Sequence, residues 1–336
     1  MNGKALGIWN RNSILLGCLL WFASVSDLIY FSFDSYAFLF LLAPLIIVPV
    51  GLQLVATPND EGLHPLSYRL AVGLQPFGAA FAMFSFDLDP GVFAGALALP
   101  WLVVVSCIAW FGMQRFLTRG LKPLEELAID SALVYIVVGG GWFVFARFGI
   151  RPLQFSPTIV VLTAIHFHFA GFAAPLFAGF TGRSLDRPSG LQRFVYRGAA
   201  WGMIMGPPLV ALGITVSQLG FSRLTELVCA VILALSVVGM ALLVLTKVVP
   251  RKGGPLAKTG LVIASLSVVF TMCLACVYAY GRHTGNVLID IPGMVRLHGI
   301  LNALGFGLFG IMAWYQIQPK PKEKPPAISS KSITGR

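Results

Sequence analysis

Charge is what this chain lacks. Asp, Glu, Lys and Arg make up 11% of its 336 residues, less than half of the roughly 25% typical of soluble domains, while apolar residues make up 57%. Such a composition excludes an ordinary water-soluble domain. Acidic residues are the scarcer sign, 13 against 24 Lys and Arg, for a net charge of +11. That excess would suit nucleic acid only if the basic residues formed a face interleaved with aromatics. They sit instead in short gaps between apolar runs, so no nucleic-acid partner is expected. Also missing are a G-x-x-x-x-G-K-[ST] phosphate loop, a G-x-S-x-G elbow, an H-E-x-x-H zinc motif and a D-x-x-x-D pair. ATP-driven transport by this chain alone is therefore not expected, and no motif marks an enzyme. The five cysteines, Cys18, Cys107, Cys229, Cys273 and Cys276, all lie in apolar runs, where a free thiol behaves as a small hydrophobe. "CLAC" at 273–276 has neither the second ligand pair nor the polar surroundings of a zinc site.

What the sequence has is membrane-length apolar runs. A spanning helix needs about 20 mostly apolar residues, and ten stretches qualify, at 13–33, 36–56, 67–86, 91–114, 124–146, 157–180, 198–219, 225–246, 259–281 and 294–316. They predict an all-α, polytopic transmembrane helix bundle of about ten spans. With the N-terminus inside, 19 of the 24 basic residues fall on the cytoplasmic side and 5 outside, as the positive-inside rule requires. Both termini are then cytoplasmic. The first run, following Lys4 and Arg11, also has the form of a secretory signal, and its cleavage would leave nine spans. Residues 1–318 are expected to form a single transmembrane domain, and the proline-rich, basic segment 319–336 a disordered cytoplasmic tail. The lipid bilayer is the expected partner.

Polar residues inside the spans are the site candidates, because ionisable groups there usually face the bundle interior or a water-filled cavity. "LTAIHFHFAGFAAPLFAGF" at 162–180 holds His166 and His168, roughly 14 to 17 Å below the end of their span. Two residues apart on a helix, they are separated by about 200° and must face different neighbours. Gly171, Pro175 and Gly179 favour close packing and a kink. "MVRLHGILNALGFGLFG" at 294–310 places His298 and Asn302 four apart, on one face and near the depth of His166. Asp27, Gln75 beside Pro76, and Asp130 with Tyr135 also lie within spans, and Arg147, Arg151, Arg282, His283 and Arg296 lie at outer ends. The common explanation is an outward-opening polar pocket around His166, His168, His298 and Asn302, with Asp27, Asp130, Gln75 and Arg296 as further candidates. The competing explanation is plain interhelical hydrogen bonding, at about 0.6 kcal/mol per bond on average.

The motifs "AIHFHFAGFAAPLFAG" and "RLHGILNALGFG", in a basic chain of about ten spans, resemble the YndJ-like family of bacterial integral membrane proteins over most of the chain. The resemblance implies the bacterial cytoplasmic (inner) membrane and brings no mechanism with it. The fragment "AIHFHF" is similar to the histidine pair of haem-copper oxidase subunit I, in which two imidazoles of one helix serve two metal centres. That similarity implies haem or metal ligation by His168 and His298. A full oxidase site would need further histidines, and of His64, His283 and His298 only His298 falls in a span. The expected function is binding of a small or lipid-like ligand in the pocket, with secondary transport as the form any movement would take. The alternatives are a haem- or metal-binding membrane redox protein and a membrane scaffold or assembly factor.

Overall fold

The computed structural model describes residues 3–31, 35–56, 64–186 and 188–322, without the side chains of 25–31. Every regular element among them is helical. Ten long helices follow one another: α1 Gly3–Phe31, α2 Ser35–Val55, α3 Leu66–Ser85, α4 Val92–Arg119, α5 Leu124–Phe148, α6 Pro157–Ser184, α7 Gly190–Gln218, α8 Arg223–Val248, α9 Pro255–Thr284 and α10 Ile291–Ile317. They fall on the ten runs read from the sequence. Among the described residues eight, α2 and α4 to α10, are long and apolar enough to cross a membrane by length and composition. Of the other two, α3 falls short through Arg69 and Gln75, and the described part of α1 through Asn10, Arg11 and Asn12.

Local chemistry sets the ends. Ser156 caps α6 ahead of Pro157, Ser189 and Gln192 form a capping box on α7, and Asp290 accepts from the Gly293 amide at the start of α10. Left-handed Gly149 and Gly285 close α5 and α9, where a side chain would be strained.

Burial is uneven. In α2, 94% of the apolar window is enclosed, against 33% in α8 and α9, so α2 is the central helix, packed against α1, α3, α6 and α10. A lone helix in an apolar core must satisfy its carbonyls through neighbours wherever its own ladder breaks. The ladder breaks at a π-turn over Ala43–Ile47, where the Val48 amide bonds Ala43. That diverts the α-helical donor of Pro44, and the residue five further on is Pro49, which has no N–H. The side chain of Gln75 on α3 supplies the missing donor, its Nε2 lying 2.6 Å from the Pro44 oxygen. Asn10 and Trp21 of α1 donate to the Pro49 and Phe38 carbonyls, and Tyr68 of α3 donates to Leu52.

Further π-helical stretches occupy Phe167–Ala173 in α6, Val244–Val248 in α8, and Val295–Gly299 and Leu301–Phe309 in α10. In α6 and α8 a proline follows, Pro175 and Pro250, and its ring clash with the carbonyl four residues back favours the wider turn. No proline follows in α10. His168, His298 and Asn302 all lie in these widened stretches, which concentrate at functional sites.

Candidate functional site

The histidines of α6 face different helices. His166 turns to α10, where its ring lies 6.3 Å from that of His298 with the planes 24° apart. His168 turns to α4 and is fully buried.

Three residues on α9 and α10 close a ring of hydrogen bonds. The Thr271 hydroxyl donates to Asn302 Oδ1 at 2.7 Å, the Asn302 amide donates to His298 Nε2 at 3.0 Å, and His298 Nδ1 donates to the Thr271 carbonyl at 3.0 Å. An imidazole that accepts at Nε2 must carry its proton on Nδ1, so the ring holds a neutral His298 in one tautomer. His166 shares that tautomer for another reason: its Nδ1 lies 2.7 Å from the carbonyl of Leu162, one turn back. Its Nε2 is left as an acceptor with no hydrogen-bond partner among the described residues, on an exposed side chain.

His168 has no ring nitrogen to spare. Nδ1 lies 2.8 Å from the Ala164 carbonyl, Nε2 accepts from the Trp101 indole at 3.0 Å, and Phe40 packs edge-on at 4.8 Å. Gly139 of α5 makes room for it, since a Cβ there would meet the imidazole at 2.7 Å. A metal ion at His168 would have to displace Trp101, and one at Nε2 of His298 would have to displace Asn302. Among the described residues no three His, Cys, Asp or Glu side chains group as metal ligands.

Asp130 and Gln75 are engaged by partners other than the imidazoles. Asp130 belongs to a buried ion cluster near the C-terminal end of α2. Arg115 Nε meets Asp130 at 2.6 Å, and Glu126 takes Arg115 at 2.9 Å, Arg119 at 2.6 Å and Arg183 at 2.7 Å. Arg115 and Arg183 also donate to the Val55 and Leu54 carbonyls, placing positive charge at the negative end of the α2 dipole. Gln75 serves α2 as described, and Arg296 is exposed. Arg147 donates to the Ser85 carbonyl and stacks over Phe86, while Arg282 pairs with Glu226. Asp27 lies outside the residues whose side chains are described. In the connections between helices, burial lowers the imidazole pKa of His64, and the hydrogen bond from Lys252 holds the Asp186 carboxyl below its usual range.

Sequence reasoning missed Thr271, Trp101, Arg115, Glu126 and Arg183. The first two are ordinary residues in a membrane helix until a partner from another helix defines them. The charged three sit at span ends, where they read as topology signals.

Residues 38–306 match the YndJ-like protein family. The chain belongs to the YndJ-like family. It is similar to the uncharacterized membrane protein YndJ of Bacillus subtilis (strain 168), with 29% identity over 247 residues, 73% of this chain and 42% of that protein. It thus spans less than half the length of that relative. No solved structure matches it. The matched segment contains both the imidazole group and the ion cluster, and this YndJ-like chain is a multi-pass membrane protein.

Proposed function

We propose that this YndJ-like protein binds a small or lipid-like molecule at His166. In this reading the protein lies in the bacterial cytoplasmic membrane with both termini inside, residues 1–318 form the membrane domain and 319–336 a basic tail. The carrying observation is the open Nε2 of His166: Nδ1 is committed to Leu162, so the ring presents one acceptor beside a face built by His298. A ligand with an O–H or N–H donor and an apolar body suits that arrangement, because an acceptor at the depth of a span gains most from a donor that water does not supply. Asn302 and Thr271 hold His298 in place and do not themselves contact the ligand. With no phosphate-binding loop in the sequence, movement of the ligand across the bilayer would be secondary transport.

Native mass spectrometry tests this on protein released from its own membrane in mild detergent. The wild type is expected to carry a co-purifying small molecule or lipid, and His166→Phe to lose it while remaining folded. Identical adducts on the two proteins, or none on the wild type, would overturn the reading. A visible spectrum and elemental analysis of the same samples address ligation by His168 and His298: a Soret band or stoichiometric metal, lost in His168→Ala and His298→Ala, would replace ligand binding with a redox or metal role.

A further inference from the structure

The ring formed by Thr271, Asn302 and His298 admits a second closed arrangement. The two ends of a side-chain amide have nearly the same shape but opposite hydrogen-bonding character. Exchanging Oδ1 and Nδ2 of Asn302 would present an oxygen to His298 and an N–H to Thr271. For neutral His298 that exchange puts two acceptors face to face. For His298 carrying a second proton on Nε2 it is the satisfied state. Nε2–H donates to Asn302 Oδ1, Asn302 Nδ2 donates to Thr271 Oγ1, and the Thr271 hydroxyl turns to the Val268 carbonyl, already 3.2 Å away. The bond from Nδ1 to the Thr271 carbonyl is the same in both states. In each arrangement every bond around the ring has one donor and one acceptor, the second N–H of the Asn302 amide pointing out of the ring in both, whereas most buried polar groups lose a partner when a neighbour changes protonation.

We propose that His298, Asn302 and Thr271 form a proton-binding switch, in which His298 takes up one proton at Nε2 as the Asn302 amide turns through half a revolution. The proton comes from water and is returned to water, and no other bond is made or broken. The elements packed on His298 present few competing charges. α9 presents Thr271, α2 presents Leu39 beside Gly299, and α6 presents His166, the titratable side chain that interacts with it. Because two imidazolium rings would repel, His166 stays neutral when His298 is charged. The switch adjoins the proposed ligand site and does not depend on it.

The test is nitrogen NMR of 15N-histidine-labelled protein in lipid nanodiscs, where ring shifts separate the neutral tautomers from imidazolium. The His298 signal is assigned by its loss in His298→Gln. From about pH 8 to about pH 4, a range that brackets the free histidine value of about 6.5, His298 is expected to pass from the Nδ1–H form to imidazolium. Asn302→Leu removes the acceptor for Nε2–H and lowers the midpoint by about one pH unit or more, a tenfold loss of proton affinity. Asn302→Asp offers a carboxylate acceptor and raises it, while Thr271→Ser keeps both groups of the ring and leaves it in place. A His298 that holds the Nδ1–H form throughout, or one whose midpoint is equal in wild type and Asn302→Leu, overturns the switch. If Asn302→Leu does not fold, an unshifted Asn302→Asp overturns it instead. Repeating the titration in His166→Phe separates the two proposals: the switch persists there even though ligand adducts are lost.

Discussion

The Trp101 indole donates to Nε2 of His168 across the interface of α4 and α6, at 3.0 Å. With Nδ1 engaged by the Ala164 carbonyl, this bond fixes the tautomer and orientation of a fully buried imidazole. The same imidazole packs edge-on against Phe40, which stacks on Phe143 at 4.1 Å. His168 therefore acts as a polar joint inside an apolar core, in contrast to His166 with its open nitrogen.

Trp101→Phe keeps an aromatic ring and removes the donor. Leaving Nε2 unpaired costs about 1–3 kcal/mol, while interhelical bonds in membranes average about 0.6 and reach about 1.7 kcal/mol. A loss of about 1–2 kcal/mol is expected, measured as a fall in thermal stability in detergent. His168→Phe should cost a similar amount by orphaning the indole. The double variant, with both polar groups gone, should cost less than the sum; strict additivity would show that the bond contributes nothing.

The ion cluster predicts larger effects. Glu126 receives three arginines, two of them buried, and removing one partner of a buried ion pair costs about 3–5 kcal/mol because uncompensated charge remains. Glu126→Gln is expected to deplete folded protein in the membrane fraction. Asp186→Asn, which breaks the exposed contact to Lys252, should stay within about 0.5 kcal/mol of wild type. Equal tolerance of the two changes would contradict the burial of Glu126.

Two glycines of α5 separate packing from propensity. A Cβ at Gly139 would crowd the His168 ring at 2.7 Å, whereas Gly141 has open space around it. Gly139→Ala should destabilise by about 1–3 kcal/mol through overpacking, and Gly141→Ala should be neutral or stabilising by up to about 1 kcal/mol through helix propensity. Thermal unfolding of both variants decides the matter, and similar shifts would place His168 elsewhere.

How much of this was legible beforehand follows from which forces act locally. Apolar runs of bilayer length mark helices in the sequence itself, which is why the ten stretches coincide with α1 to α10. The four-residue spacing of His298 and Asn302 placed them on one face, and the structure finds them hydrogen-bonded. The two-residue spacing of His166 and His168 separated them, and they face α10 and α4. Pairings between distant helices were not legible, because nothing local to Thr271 points to Asn302, 31 residues on, and nothing in Arg183 points to Glu126, 57 residues back. Asp130 and Gln75 read as pocket candidates because any polar residue in a span does. Their partners, Arg115 and the Pro44 carbonyl, emerge only once the helices pack.

Gln75 supports a prediction that runs through a backbone group. Its Nε2 serves the Pro44 carbonyl, whose normal donor, the Val48 amide, is taken by Ala43, and whose π-helical alternative is denied by proline at 49. Gln75→Leu should fill the same space while leaving a buried carbonyl unsatisfied, at a cost of about 1–3 kcal/mol. If the missing N–H of Pro49 is the reason Gln75 is needed, Pro49→Ala restores an amide five residues beyond Pro44. The variant Gln75→Leu/Pro49→Ala should then recover stability lost in Gln75→Leu alone. Thermal unfolding of the three variants reads this as a negative coupling in a double-mutant cycle. Losses that simply add would mean that the Pro49 amide cannot reach the Pro44 oxygen and that Gln75 stabilises α2 through packing alone.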